Sequence, residues 1–474
     1  MNGIGSFFIG SETNIAKRNV LWNMAGSFIY ALTSMLLGAV VTRTLGAAAG
    51  GIFFFAFSTF GQQIFIVAYF GMRPVQVTDA GEQATFAEYR AFRLLSCAAA
   101  VLSSLGYGFL LSAPGEARTV LFLTAGYKIL DGFADCYDSE FQRQGRLYLA
   151  GKSNAFRTLG SVAVFLGLLF ATRSLVAACL AALIGQAGMI LLCCVAPLSC
   201  LPNVRMERRR GYIRHLFAKS RWLFLGAFLD LYIFAASKYA VNRYLTAADN
   251  SYYTTIFIPT SVINLMANFV IRPVLTLLSE QRERGDKAAF QATVAKIGGL
   301  IFVLTLFGAG LAWLLGIPVL SLLVGAEAGK ALRGLRTELL LVILGGGFYA
   351  LLNLLYYCLV ILERQGLIFL IYVLGTGFAW LSAEQGVQRF GMRGAALSEG
   401  IGERLSPLPG MPPCWIVIAK PAFSISTRFV YENLHVGRLP RSAHPDVDAV
   451  ISALNAGEIP ALSKNMGNIL ETVS

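Results

Sequence analysis

Charge is what this chain is short of. Asp, Glu, Lys and Arg make up 14% of its 474 residues, against roughly 25% in an ordinary soluble protein. Histidine is scarce too, with three residues in all. Eight cysteines are present, but none forms a CxxC pair and none is spaced with a histidine as zinc ligands are. A metal site and a cofactor site are therefore not expected, and the thiols read as apolar packing. The short alternating segments of a membrane barrel are missing. The opening MNGIGSFFIGSETNIAKR lacks the charge-then-apolar order of a cleaved signal peptide.

What the chain has instead is apolar length. Hydrophobic residues make up 56% of it, and mean hydropathy is +0.63. Runs of about 20 apolar residues recur, enough to span roughly 30 Å of hydrocarbon as a helix. The fold class expected is an all-α polytopic membrane protein of about eleven transmembrane helices. They fall near 20–41, 51–70, 94–111, 117–138, 159–171, 175–196, 222–244, 253–278, 297–324, 339–362 and 367–381.

The net charge of +13 does not point to nucleic acid, because the basic residues cluster between spans. Arg205, Arg208, Arg209, Arg210, Arg214, Lys219 and Arg221 form the densest group. Placing the N-terminus in the cytoplasm puts most Lys and Arg of the short loops inside. The loop holding Lys330, Arg333 and Arg336 runs against that trend. The basic loop also divides the array. A cytoplasmic 1–18 leads into a first six-helix bundle at 19–200, and the loop occupies 201–221. A second bundle of five helices follows at 222–382, then a junction at 383–401 and a tail at 402–474.

Charged residues within a span are costly and mark bundle interiors or cavities. The fourth span reads AGYKILDGFADCYDSE. Its Lys128, Asp131, Asp135 and Asp138 recur every three or four residues, so one helix face carries them all. Either they line a polar cavity, or Lys128 and Asp131 pair locally while Asp138 sits at the rim. Lys238 of the seventh span faces either a cavity or the membrane surface. In the eighth span Asn264, Asn268 and Arg272 repeat every four residues. Asparagines also bind helices to each other. A guanidinium in a cavity would suit phosphate.

Several stretches resemble the bacterial polysaccharide flippases of the MATE-like exporter superfamily. They include RNVLWNMAGSFIYALTSMLLGAVVTRTLGAAAGGIFFFAFS, YFGMRPVQVTD, and KILDGFADCYDSEFQRQGRLYLAGKSNAFRT. FLDLYIFAASKYAVNRYL and IFIPTSVINLMANFVIRPVL continue the likeness, which covers about 16–398. The resemblance implies two bundles of six or more helices in the inner (cytoplasmic) membrane. It also implies a lipid-linked oligosaccharide carried across the phospholipid bilayer by alternating access, with a coupling ion among its partners. Transport-cavity candidates are then Lys128, Asp131, Asp135, Lys238, Asn264, Asn268 and Arg272. A small-cation exporter of the same superfamily is the alternative. FGMRGAALSEG resembles the loop into a twelfth span, yet no run long enough for a twelfth span follows, so the second bundle is expected to be incomplete.

From about residue 402 the chain changes character. GERLSPLPGMPPCWIVIAKPAFSISTRFVYENL, HPDVDAVISAL and NMGNILETV resemble part of 4-diphosphocytidyl-2-C-methylerythritol kinase, a GHMP-type enzyme of isoprenoid biosynthesis. The resemblance implies a short α/β fragment. Nothing in it matches the Gly- and Ser-rich loop that would hold ATP phosphates at a helix N-terminus. The chain reads as a composite: a transporter lacking its last helices, joined to a kinase fragment lacking its ATP site.

Overall fold

The computed structural model describes residues 8–10, 14–79, 84–111, 115–201, 204, 206–207, 212–362 and 365–399. The chain divides into two units, Met1–Gly402 and Glu403–Ser474. The α/β tail expected from the sequence lies outside the described residues, and everything below concerns the first unit.

Among the described residues every regular element is helical. Eleven long helices follow in order. They are α1 (Ile15–Leu45), α2 (Ala47–Val77), α3 (Phe86–Leu110), α4 (Glu116–Arg143), α5 (Leu147–Thr172) and α6 (Leu175–Ser199). After the basic loop come α7 (Tyr212–Tyr244) and α8, the latter in two pieces, Ala247–Ile256 and Ile258–Glu283. The series closes with α9 (Lys287–Val324), α10 (Ala326–Ile361) and α11 (Gln365–Glu399). Nine of these helices are long and apolar enough to cross a membrane. The other two are α4, with Lys128, Asp131, Asp135 and Asp138 inside it, and the longer piece of α8. Outward-facing residues such as Leu102, Phe109, Phe307 and Leu314 are more than 60% exposed. In water that surface would aggregate, whereas in lipid it is what a spanning helix requires. This is an all-α polytopic membrane protein.

The helices are longer than the apolar runs that announce them. α5 begins at Leu147 rather than near 159, because LYLAGKSNAF is helical although mixed in polarity. α8 breaks at Phe257, where Pro259 lacks the N–H that a continuous helix would use.

The largest difference lies at α11. The sequence suggested a span ending at 381 and a junction at 383–401, but helix continues to Glu399. It does so across one reversal. Gly391 takes φ 57° and ψ −134°, outside the helical region. A Cβ added to Gly394 would collide with the carbonyl of Gly386. Eight residues of straight helix span about 12 Å, so this contact requires the chain to fold back on itself. The stretch read as a loop into a twelfth span is instead a helical return. Ala395 and Ala396 bury it against Ala383 and Val387, and Arg393 Nε donates to Glu338 Oε1 at 2.9 Å.

Packing repeats between the halves. In the first, α1 packs on α5, α2 on α3 and α4, and α4 on α3 and α5. In the second, α7 packs on α11, α8 on α9 and α10, and α10 on α9 and α11. Each pairing recurs six helices later. α6 packs on α5 and α4, and its counterpart would be a twelfth helix. Of the nine apolar helices α2 is the most buried, and it meets the second half directly: Asn250 Nδ2 donates to the Gly51 carbonyl at 2.9 Å.

Candidate functional site

A cavity of about 750 Å³ lies where the halves face each other. Residues of α2, α3 and α4 form one wall and residues of α7, α8 and α11 the other. α2 passes through a π-helical turn at Phe55–Phe60. Such wide turns often mark functional sites, and this one carries Phe55 and Phe60 to the cavity wall. Tyr107 packs on Phe60 with ring centroids 4.5 Å apart. From the other half, Tyr239 meets Phe55 edge to face at 5.5 Å, and Tyr232 stacks on Tyr239. The wall is an aromatic surface with hydroxyls.

Polar side chains interrupt it, Gln63, Arg243 and Glu384 among them. Gln63 links the halves, its Nε2 donating to the Phe228 carbonyl at 3.0 Å. Its Oε1 is buried and finds no donor among the described residues. At the wall between α7 and α11, Arg243 Nη1 pairs with Glu384 Oε1 at 2.7 Å, and the Tyr244 hydroxyl donates to Glu384 Oε2 at 3.2 Å. Both members of the Arg243–Glu384 pair line the cavity.

One turn beyond Val67 and Phe228 the halves close on each other. Phe70 stacks on Phe224 at 4.2 Å with the rings 7° from parallel. Gly71 sits beside them at φ 62°, and a Cβ there would lie 2.8 Å from the Leu223 Cβ. A side chain at position 71 would hold the two helices apart.

The charged face of α4 turns elsewhere, into the first half. Asp135 accepts from Arg73 Nη1 at 2.7 Å and from Arg93 Nη2 at 3.0 Å. Arg157 of α5 pairs with Asp131 at 3.3 Å and Asp138 at 3.2 Å. Asp138 is buried. Lys128 does not reach Asp131; it is fully buried, donates to the Tyr30 hydroxyl at 3.1 Å, and lies 4.1 Å from the Phe57 ring centre. Gly61 makes room for it, since a Cβ there would approach Lys128 Cγ to 3.1 Å. In the second half Lys238 sits 3.4 Å from the Phe257 ring centre, and Asn264 Nδ2 donates to the Thr260 carbonyl one turn back.

Lys128, Asp131, Asp135, Lys238 and Asn264 are thus absent from the cavity wall. The side chains of Asn268 and Arg272 lie outside the described residues. Sequence reasoning missed Gln63, Arg243 and Glu384 as a set, because aromatic and end-of-helix polar residues occur throughout any membrane helix. It also missed Arg73, Arg93 and Arg157 as the partners of the aspartates. Three carboxylates on one buried face require cations from neighbouring helices, and that requirement was the available signal.

No family model matches the chain. Among curated proteins it matches the 4-diphosphocytidyl-2-C-methyl-D-erythritol kinases of Geobacillus sp. (strain WCH70) and Lachnospira eligens. The first is 43% identical over 81 residues, covering 17% of this chain and 27% of that enzyme. The second is 47% identical over 83 residues, covering 18% and 28%. The chain therefore spans little more than a quarter of these relatives. Among solved structures it resembles the lipid II flippase MurJ in an inward closed conformation. That likeness has a TM-score of 0.60 at 15% identity, over 81% of this chain and 85% of that one. An inward-facing multidrug resistance MATE family transporter of the MOP superfamily aligns at TM-score 0.53 and 14% identity, over 79% and 90%. A eukaryotic MATE transporter aligns at 0.56 and 12%, over 82% and 93%. The membrane part has the fold shared by the MATE and MurJ proteins, and the shorter likeness to a kinase belongs to the tail.

Proposed function

We propose that this chain is a membrane transporter that carries a lipid-linked oligosaccharide, a polyprenyl-diphosphate sugar, across the bacterial cytoplasmic membrane for surface polysaccharide synthesis. The aromatic cavity between the halves carries the reading. Rings with hydroxyls suit sugar faces, which offer C–H groups on one side and hydroxyls at the edge. The free Oε1 of Gln63 is an acceptor for a sugar hydroxyl. Arg243 is the cavity-wall cation suited to diphosphate. The distribution of Lys and Arg among the short loops supports a cytoplasmic N-terminus.

The test is transfer in proteoliposomes of a fluorescent polyprenyl-diphosphate oligosaccharide, read by dithionite quenching. Transfer is expected from the full chain, with a fall of tenfold or more in Tyr239→Ala and Arg243→Gln. Transfer of ethidium but not of the sugar lipid would sink this reading in favour of a small-cation exporter, for which Glu384 is the acidic group at hand.

A further inference from the structure

The repeat between the halves exposes a difference in how each closes its interior. In the first half, α3, α4 and α5 meet around a cleft near the C-terminal end of α4. α6 fills it: Ile190, Cys193 and Leu198 belong to one buried cluster with Phe92, Phe141 and Tyr148. The related cleft of the second half lies between the start of α9, the end of α10 and the start of α11. There a groove of about 530 Å³ remains, lined by residues such as Val294, Leu355, Leu359, Ile368 and Ile371. The helix that would fill it is the counterpart of α6. Its first two turns are the return after Gly391, at the far end of α11. The sequence after Glu399, GIGERLSPLPGMPPC, carries Glu403, Arg404 and four prolines. Among the described residues the groove is walled by α9, α10 and α11 alone.

We propose that this groove is a phospholipid-binding site, and that one acyl chain of a bilayer phospholipid lies along it in place of the twelfth helix. Three observations favour a lipid chain. The lining is almost wholly apolar, so water gains few hydrogen bonds there, and leaving the groove unfilled forfeits the dispersion contacts of every residue around it. The cleft runs along helices whose outer surfaces already face lipid. Its mouth is polar: Arg282 Nη1 donates to the Ile361 carbonyl at 2.6 Å, next to the lining residue Leu362. The exposed Lys287 opens α9 one turn before the lining residue Gln291. A chain entering from the headgroup layer would therefore leave its polar end beside these residues.

Native mass spectrometry of the purified full chain tests the site, with dioleoylphosphatidylglycerol as the added lipid. One phospholipid is expected to survive activation on the unmodified chain and to be lost from Leu355→Trp/Ile368→Trp, whose indoles fill the groove. Phe307→Trp, on a lipid-facing surface of α9 away from the groove, is expected to keep it. A second measurement does not depend on the double variant folding. A phosphatidylcholine with a diazirine in its acyl chain is expected to label residues 352–372 several-fold more than residues 300–314. Retention by the filled variant, or even labelling of both stretches, would overturn the proposal. So would a dimer signal that the tryptophans abolish, which would assign the groove to a second copy of the chain.

Discussion

Asp135 is held between two arginines from different helices, and one of them, Arg93, is fully buried. A buried pair contributes little over a well-packed apolar replacement, but removing one partner strands the other and costs about 3–5 kcal/mol. Asp135→Asn should therefore lower the thermal stability of the detergent-purified protein sharply, and Asp135→Asn/Arg93→Gln should recover much of the loss. Coincident melting of wild type and the single variant, by fluorescence-detected size exclusion, would show that the clamp contributes nothing. The aspartates were legible in the sequence because a charge inside an apolar run stands out. Their partners were not. Arg73 and Arg93 sit near helix ends, where a cation normally reads as a signal of membrane orientation, and only three-dimensional packing turns them inward. Lys128 shows the same limit. Its spacing from Asp131 suggested a pair, but the aromatic faces of Tyr30 and Phe57 hold it instead, an arrangement worth about 2 kcal/mol when desolvated. Gly71 provides the other residue-scale prediction. Gly71→Ala should strain the left-handed backbone and press on Leu223. The expected result is fewer molecules closed at Phe70–Phe224, measured as faster bimane labelling of a cysteine placed at Val67.

Helix α11 shows what a single residue does to an element. Its sequence from Gln365 to Glu399 reads as one long helix followed by a loop, and the structure makes it a hairpin about Gly391. Spin labels at Ser382 and Ser398 separate the two descriptions. A straight helix puts them about 24 Å apart, whereas the return brings them close enough for strong dipolar broadening. Gly386→Leu, which introduces bulk where the two arms touch, should remove that broadening. Nine of the long helices were legible because each carries an apolar run of membrane length. Their ends were less so, since residues such as those at 147–158 extend a helix without being apolar. The break in α8 depends on where Pro259 falls in the packed structure. The cavity was illegible for another reason. Its wall takes Phe55, Tyr107, Tyr239 and Glu384 from four helices, and nothing local distinguishes such residues from those that face lipid.

On the scale of the whole molecule, the halves share their packing but not their completeness, and the candidate site lies where they meet. If that meeting surface is the transport route, cysteines at Gln63 and Phe228, placed across it, should form a disulfide under mild oxidation and stop transfer. Reduction should restore it. Continued transfer by the crosslinked protein would move the route elsewhere. The ion clamp on α4 also bears on how the protein is made. With Lys128 and three aspartates, α4 is not among the helices apolar enough to cross a membrane on composition. When it leaves the ribosome, Arg73 and Arg93 are already in place on α2 and α3, while Arg157 is still to come. The insertion of α4 is thus a joint act of its neighbours: two cations wait for it, a third arrives to lock it, and an early stall in synthesis would leave the first two without their counter-charge.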